Sequence, residues 1–275
     1  MPYVEIRPEA RNVMRALAET QASAYVETQL IPSLRRVTGA NAGTPEILDD
    51  PFLCLKAIYG HYAFTRRGKD RHELADLALA ALERTRGEDF EQFLAESNAD
   101  RFWANYLDIC AERKKKPQEQ LNLGPVAGIA ELAQEVYRRD GVGSIAGWVH
   151  SGVAQTDRLE PQFLRMVDVR GVGPKLTSLF LRDVVFFFNL EERIDHSERL
   201  YVQPVDKWIR MIAPYVIDEP GIEDAADWIL AGKLAKHTRH ARISGVRFNM
   251  GATYFGMREI RSPEQLPHLL DSLTQ

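Results

Sequence analysis

Apolar side chains recur along almost the whole chain at the three- and four-residue spacing of an amphipathic helix. Between residues 11 and 36, for example, Val13, Leu17, Tyr25 and Leu30 fall at this spacing. Such periodicity predicts helices. No run of alternating apolar and polar residues is long enough to predict a sheet. The pattern therefore predicts an all-α protein.

Helix-start and helix-stop residues divide this pattern into segments. Asp50-Pro51 is typical of an N-cap followed by proline at the first helical position. Pro32 is expected to break or bend the first helix. Residues 141–146 follow a helix and indicate a stop and a restart. A polar insert at 189–203 interrupts the series and could form a small β-hairpin over 192–202. The predicted helices span residues 11–36, 50–66, 72–85, 89–95, 98–113, 127–139, 144–151, 160–167, 175–187, 204–212, 222–237, 248–257 and 263–273.

The composition is that of an ordinary globular protein, with 45% hydrophobic and 27% charged residues in 275. No apolar stretch is long enough to cross a bilayer and no signal peptide is visible, so we expect a cytoplasmic protein without a membrane partner. Cys54 and Cys110 are expected to be reduced and buried. Two thiols cannot supply the four ligands of an iron–sulfur cluster or of an all-cysteine zinc site. We expect neither metal nor cofactor.

The distribution of charge matters more than its sum. The net charge of −4 and the pI of about 6.0 argue mildly against a partner that is a polyanion. Lysine and arginine nevertheless gather at residues 66–71, 113–116 and 233–247, and the last segment holds five of them, two histidines and no acid. Each segment could be a solvated face or a phosphate-binding surface.

A Gly-Val-Gly turn, Gly171 to Gly173, separates two of the predicted helices. Glycines allow a sharp turn whose uncovered N–H groups, with the start of the next helix, can hold a phosphate. Val172 would anchor the turn in the core, and Pro174 suits the first helical turn. The segment is not a P-loop, because neither Ser nor Thr follows Lys175. Taken alone, the glycines could equally be a helix C-cap and turn.

A second element is the segment Pro204-Val205-Asp206, which lies near a predicted helix start. A carboxylate in this position is held by the free N–H groups of the helix. By itself such an aspartate is more often a cap than a catalyst.

Together the two elements resemble the signature of the helix-hairpin-helix DNA glycosylase superfamily. Its usual form is Leu-Pro-Gly-Val-Gly, one variable residue and, in bifunctional members, Lys; Gly171, Val172, Gly173 and Lys175 fill those places, while Arg170 stands where proline is usual. Asp206 matches the later aspartate. The long insert between lysine and aspartate is similar to that of archaeal 8-oxoguanine glycosylases, and the missing cysteine quartet fits the cluster-free branches. The resemblance covers residues 167–210.

The resemblance implies two helical lobes with a cleft between them. One lobe would span 48–190 and carry the helix-hairpin-helix at about 160–187; the other would join 1–47 to 195–275 and carry Asp206. It further implies a base-excision-repair enzyme, a DNA glycosylase with AP lyase activity, that flips an oxidised base such as 8-oxoguanine out of damaged DNA. Lys175 would be the nucleophile and Asp206 its electrostatic or general-base partner. We expect a monomer associated with the nucleoid.

Further residues are candidates for contact with DNA. Gly171 and Gly173 would bind a phosphate. Aromatic candidates for stacking on the flipped base could each instead pack in the core. The basic candidates for phosphate contact are Lys236, Arg239 and Arg242, and the aromatic candidates are Tyr201, Trp208, Phe187 and Tyr254.

Two other functions stay open at this point. The hairpin could serve a non-catalytic DNA-binding protein, with Lys175 as a phosphate contact and Asp206 as a cap. The same scaffold could also act on the N-glycosidic bond of a modified nucleoside or of RNA, an alternative that the acidic net charge keeps open. Borohydride trapping separates the first alternative from a lyase, and a screen of free nucleosides separates the second.

Overall fold

The computed structural model describes residues 5–41, 43–64, 68–141 and 143–274. Within them the chain is helical and has no β-strand, which confirms the prediction of an all-α protein. None of the helices there combines the length and the apolar character needed to span a membrane. The α-helices are, in chain order, α1 (Pro8–Ala16), α2 (Ala22–Tyr25), α3 (Ile31–Thr38), α4 (Thr44–Asp49), α5 (Pro51–Ala57), α6 (Arg71–Ala95), α7 (Asp100–Glu112), α8 (Glu119–Asp140), α9 (Ile145–Thr156), α10 (Glu160–Val167), α11 (Pro174–Phe187), α12 (Lys207–Val216), α13 (Asp227–Ala241), α14 (Gly245–Arg258) and α15 (Leu266–Leu273).

The first predicted helix, over 11–36, is a helix of mixed type. Its α-helical parts alternate with two π-helical turns, Leu17–Gln21 and Val26–Leu30. Pro32 lies just after the second turn, at the start of α3. Proline has no N–H to donate and is tolerated in the first turn of an α-helix, which is where Pro32 lies in α3. Pro32 therefore follows a change of helix type and does not end the helix.

Two predicted helix starts are confirmed by their capping hydrogen bonds. Asp50 accepts the Leu53 N–H at 2.7 Å and begins α5. Ser144 accepts the Gly147 N–H at 2.8 Å and begins α9, after Gly141 has ended α8 with a φ of +62°. The predicted end of the helix near Arg66, and the basic residues Arg66 and Arg67, lie outside the described residues.

The insert at 189–203 is not a β-hairpin, so that prediction was wrong. Its backbone makes local turns: Ile194 N–H donates to the Leu190 carbonyl and Tyr201 N–H to the Glu198 carbonyl. The segment ends in a 3₁₀ helix, Arg199–Val202. Leu190 and Ile194 are buried, so the apolar residues of the insert anchor successive turns and do not face one another across two strands.

The chain divides into two compact units. The central unit is Pro32–Phe180, and the terminal unit joins Met1–Ile31 to Leu181–Gln275. In the central unit the Tyr59 hydroxyl donates to the Val126 carbonyl at 2.6 Å, which ties α5 and its following turn to α8. Both cysteines are buried there and free, and burial raises the pKa of the Cys54 thiol to about 12.

The terminal unit has its own apolar core. α1, α12, α13, α14 and α15 each contribute buried side chains to it, including Met14, Ile212, Leu234, Phe248 and Leu270. α14 is buried along most of its length. It therefore forms the centre of this unit, and polar side chains on it have few routes to water.

Candidate active site

The predicted turn lies between α10 and α11 in the central unit. After α10 ends, Val169 N–H donates to the Met166 carbonyl and Val172 N–H to the Val169 carbonyl, which closes two consecutive tight turns. Val169 and Val172 are both buried, so the turn is anchored in the core as the sequence predicts. The result is a helix, a short hairpin and a second helix over residues 160–187.

The two glycines have different tasks in this turn. Gly171 has a φ of +88°, a conformation that side-chain-bearing residues rarely adopt, and a Cβ there would lie 2.8 Å from Pro125 Cδ. The Gly173 carbonyl accepts from Leu176 and Thr177 N–H, which starts α11. Within the described part of the chain, neither the Gly171 nor the Gly173 N–H has a hydrogen-bond acceptor. Two backbone donors are therefore free beside a helix start, the arrangement that binds anions.

Lys175 is the second residue of α11, close to these donors along the chain. Its side chain is half-buried, whereas the neighbouring Arg170 is exposed. The next apolar residues of α11, Leu176 and Phe180, point into the core. The helix therefore holds the lysine at the boundary between solvent and the interior of the central unit.

Asp206 is the N-cap of α12 in the terminal unit. Its Oδ1 accepts the N–H groups of Trp208 at 2.8 Å and Ile209 at 2.9 Å. The helix therefore begins at Lys207, three residues later than predicted, because residues before the cap cannot be helical. The half-buried carboxylate has a fixed orientation set by its own backbone.

The second oxygen of Asp206 has a partner that sequence reasoning missed. Thr253 Oγ1, on α14, donates to Asp206 Oδ2 at 3.1 Å. One helical turn earlier, the fully buried Asn249 donates its Nδ2 to the Pro204 carbonyl at 3.1 Å. The signal in the sequence is two polar residues four apart on a largely apolar helix, a spacing that places them on one face. α14 therefore positions the Pro204–Asp206 segment.

Asn249 is in turn held by a buried ion pair. Arg182 donates to Asp183 Oδ1 at 2.9 Å through Nε and to Asn249 Oδ1 at 3.0 Å through Nη1. Its Nη2 lies 3.3 Å from the Tyr25 hydroxyl, and burial raises the pKa of Tyr25 to about 12. Charged groups this deep are stabilised only when paired and hydrogen-bonded. The ion pair therefore fixes the amide that holds the Pro204 carbonyl.

The aromatic candidates for base stacking are all in the terminal unit. Tyr201, Trp208 and Phe187 are half-buried. Trp208 packs against the core, and its Cβ and ring lie so close to Gly256 that a side chain there would collide. Tyr254 is buried, and its hydroxyl is 3.1 Å from Thr28 Oγ1. Trp208 and Tyr254 therefore also pack within the unit, and Tyr201, Trp208 and Phe187 stay candidates for base stacking.

The basic segment 233–247 is partly engaged within the protein. Lys233 pairs with Glu219, and Arg247 donates to the Ala18 carbonyl at 2.9 Å. Lys236 and Arg239 are half-buried, and Arg239 shares a hydrogen bond with the next residue. Arg242 is exposed at the end of α13, with a φ of +59°. Lys236, Arg239 and Arg242 stay candidates for phosphate contact.

No group of three or more His, Cys, Asp or Glu side chains in the described ranges could hold a metal ion. The hairpin of the central unit offers a lysine amine and N–H donors, and the terminal unit offers a carboxylate. Comparison with protein-family models, with curated proteins and with solved structures finds no significant match.

Proposed function

We propose that this protein is a DNA glycosylase with AP lyase activity that acts in base excision repair. The observation that carries the proposal is the hairpin of the central unit. Gly171 and Gly173 offer two N–H groups without an acceptor among the described residues, and Lys175 follows them at the start of α11. Phosphate held on those donors would bring one strand of DNA to the lysine.

The reaction follows from an amine beside a bound nucleotide. The neutral Nζ of Lys175 forms a bond to the anomeric carbon of the sugar, and the glycosidic bond breaks with its electron pair leaving on the base. The departed base takes up a proton from water. The nitrogen loses a proton, and the C–O bond of the sugar ring breaks as the ring oxygen takes up a proton, which gives an iminium ion and a free hydroxyl. Removal of a proton from the adjacent sugar carbon then expels the 3′ phosphate, which cuts the strand.

Asp206 supplies the negative charge that this chemistry needs. Positive charge grows on the sugar as the base departs, and a carboxylate of fixed orientation stabilises it without reorganising. Its cap bonds to Trp208 and Ile209 occupy Oδ1, and Oδ2 accepts a single hydroxyl from Thr253. A carboxylate oxygen accepts two hydrogen bonds, so Oδ2 retains capacity to take the proton of the lysine or of water. The proposal requires both residues at one nucleotide.

The substrate we propose is damaged duplex DNA, with an oxidised base such as 8-oxoguanine flipped out of the stack. Tyr201, Trp208 and Phe187 are the half-buried rings that could stack on the base. Glycosylase assays on a panel of lesion-bearing duplexes would identify the base removed and its preferred partner. A parallel screen of free nucleosides would detect action on a smaller N-glycoside.

A specific observation favours one other function, a non-catalytic DNA-binding protein. The bonds from Trp208 and Ile209 explain the position of Asp206 as a cap alone. Lys175 could then be a cation beside the phosphate held by the hairpin. Under this alternative a lysine and an arginine at position 175 would be interchangeable, because both carry the charge.

Borohydride trapping on a lesion-bearing or abasic duplex decides between the two. Hydride reduces an iminium ion to a stable amine, so the wild-type protein should be captured on DNA. Lys175→Arg keeps the charge but cannot form the iminium ion, and it should bind duplex within a few-fold of wild type while trapping is abolished. Lys175→Gln should lose trapping as well.

Lys207→Gln is the matched control, because Lys207 is also a lysine in the first turn of a helix beside a proposed catalytic residue. Trapping should be retained in this variant. Capture of Lys175→Arg at the wild-type yield would place the nucleophile elsewhere. Base release by the double variant Lys175→Gln with Asp206→Asn should be no slower than base release by the slower single variant. The losses in rate from two residues that act in one step are not additive.

A further inference from the structure

The hairpin turn is seated on the first half of α8. A Cβ at Gly124 would lie 2.6 Å from the Arg170 carbonyl oxygen, and one at Gly128 would lie 2.8 Å from Val169 Cγ1. From the other side, Gly171 approaches Pro125 equally closely. Approaches this short are tolerated only where glycine removes the side chain. The turn and this stretch of α8 therefore form one rigid surface.

A cluster of positive charge directly precedes α8. We call residues Arg113, Lys114, Lys115 and Lys116 the basic run; they follow the end of α7 and all four are exposed. Lys115 pairs with Glu73. No ion pair joins Arg113, Lys114 or Lys116 to any residue in the described ranges.

The backbone of the basic run is held in place. Arg113 N–H donates to the Ile109 carbonyl and Lys115 N–H to the Cys110 carbonyl, so residues 113–115 form the turn that closes α7, with Lys114 at a φ of +53°. Glu112, the acid next to it, is occupied by a two-pronged ion pair with Arg84 at 2.8 Å. Three cations without an acidic partner among the described residues thus lie close to the end of α8 that carries the hairpin.

The distance between hairpin and basic run suits a single strand of DNA. Gly124 is five residues into α8, which is about 8 Å at 1.5 Å per residue. Lys116 precedes the helix start by three residues, which add about 11 Å at most. Phosphates of one strand follow each other at about 3.4 Å along the duplex axis. The run therefore lies within about six nucleotides of a phosphate bound at Gly171 and Gly173.

We propose that Arg113, Lys114 and Lys116 extend the phosphate-binding surface of the hairpin along the same DNA strand. The inference rests on the proposed function, because it takes DNA as the partner. A chain of net charge −4 must concentrate positive charge where it meets a polyanion. Arg170, exposed at the turn itself and packed over Gly124, adds a fourth cation between the two ends of this surface.

The test is a salt titration of binding to an abasic duplex, measured by fluorescence anisotropy. The triple variant Arg113→Gln, Lys114→Gln and Lys116→Gln should flatten the slope of log affinity against log salt by about 0.9 for each phosphate that is no longer neutralised. At 0.15 M salt the loss of one such ion pair should weaken binding by about fivefold. Borohydride trapping at saturating protein should change less than about twofold, since the run touches no reacting atom.

The single variant Lys116→Gln should flatten the slope by about 0.9, and Arg138→Gln is its matched control. Arg138 lies near the other end of α8, fourteen residues beyond Gly124 and so about 21 Å further along the helix. Its replacement should leave the slope unchanged. An unchanged slope in the triple variant with an unchanged melting temperature would overturn the inference, and so would an equal flattening in Arg138→Gln, which would indicate a general effect of net charge.

The outcomes also separate this inference from the proposed function. A flattened slope in the triple variant, with no trapping even by wild type, would support the basic run and refute the lyase. Efficient trapping by wild type with an unchanged slope in the triple variant would support the lyase and refute the run.

Discussion

Replacing Asp206 by asparagine separates its two roles, because asparagine preserves the cap and removes the charge. Asparagine caps helices about as well as aspartate, so the bonds from Trp208 and Ile209 to the side-chain oxygen should persist. Its Nδ2 can donate to Thr253 Oγ1, which reverses the present hydrogen bond. The variant forfeits the interaction of a negative charge with the helix N-terminus, about 0.3–1 kcal/mol.

The stability cost of Asp206→Asn should therefore be small. For a chain of this size, 1 kcal/mol corresponds to about 2–4 °C in melting temperature, so we expect a decrease of no more than about 4 °C. Asp206→Ala removes the cap as well and should lower the free energy of unfolding by a further ~0.5–2 kcal/mol. Thermal unfolding followed by circular dichroism at constant pH measures both shifts.

The effect on base release should be much larger. Removing one preorganised electrostatic partner of a transition state commonly costs about 10²–10³ in rate. Single-turnover base release, with enzyme in excess over a lesion-bearing duplex, should fall by this factor in both variants, despite their different stabilities. If base release per folded molecule stays at the wild-type rate in Asp206→Asn, Asp206 is only a cap and the proposed mechanism is refuted.

Two further predictions concern the turn and a buried histidine. Gly171→Ala should lower the free energy of unfolding by about 2–5 kcal/mol, because the new side chain meets an unfavourable φ and collides with Pro125. Gly141→Ala is the control: its φ is also positive, but it has no neighbour within 4 Å, so it should lose only about 1–2 kcal/mol. Equal losses in urea titrations would contradict the close contact between the turn and α8. Burial lowers the pKa of His237, so protonation of the histidine opposes folding, and its contribution to stability is fully present above about pH 6.5 and is lost as the pH falls below that value. His237→Gln should therefore make the melting temperature less sensitive to pH between about 5 and 7. An unchanged pH profile of the melting temperature would count against this assignment.

The features that the sequence determined are those set by neighbouring residues. The caps at Asp50, Ser144 and Asp206 each bond to N–H groups two or three residues later, so their side chains and their position suffice. The tight turn follows from glycine at position 171, where a positive φ is needed. The all-α class follows from apolar spacing summed over many helices. In each case the interacting residues lie within about one helical turn of each other in the sequence.

The tertiary structure alone decided which distant groups meet. Asp206 and Thr253 are 47 residues apart, and the Glu191 carboxylate bonds to the Gly245 N–H across 54 residues to hold the insert on α14. The sequence left a hairpin possible in the insert, because a short polar segment does not by itself distinguish strands from successive turns. Its conformation is fixed by the buried anchors Leu190 and Ile194 and by the bond to α14. No local pattern encodes such contacts, because they depend on how whole helices pack, and the same holds for the seat of the hairpin on α8.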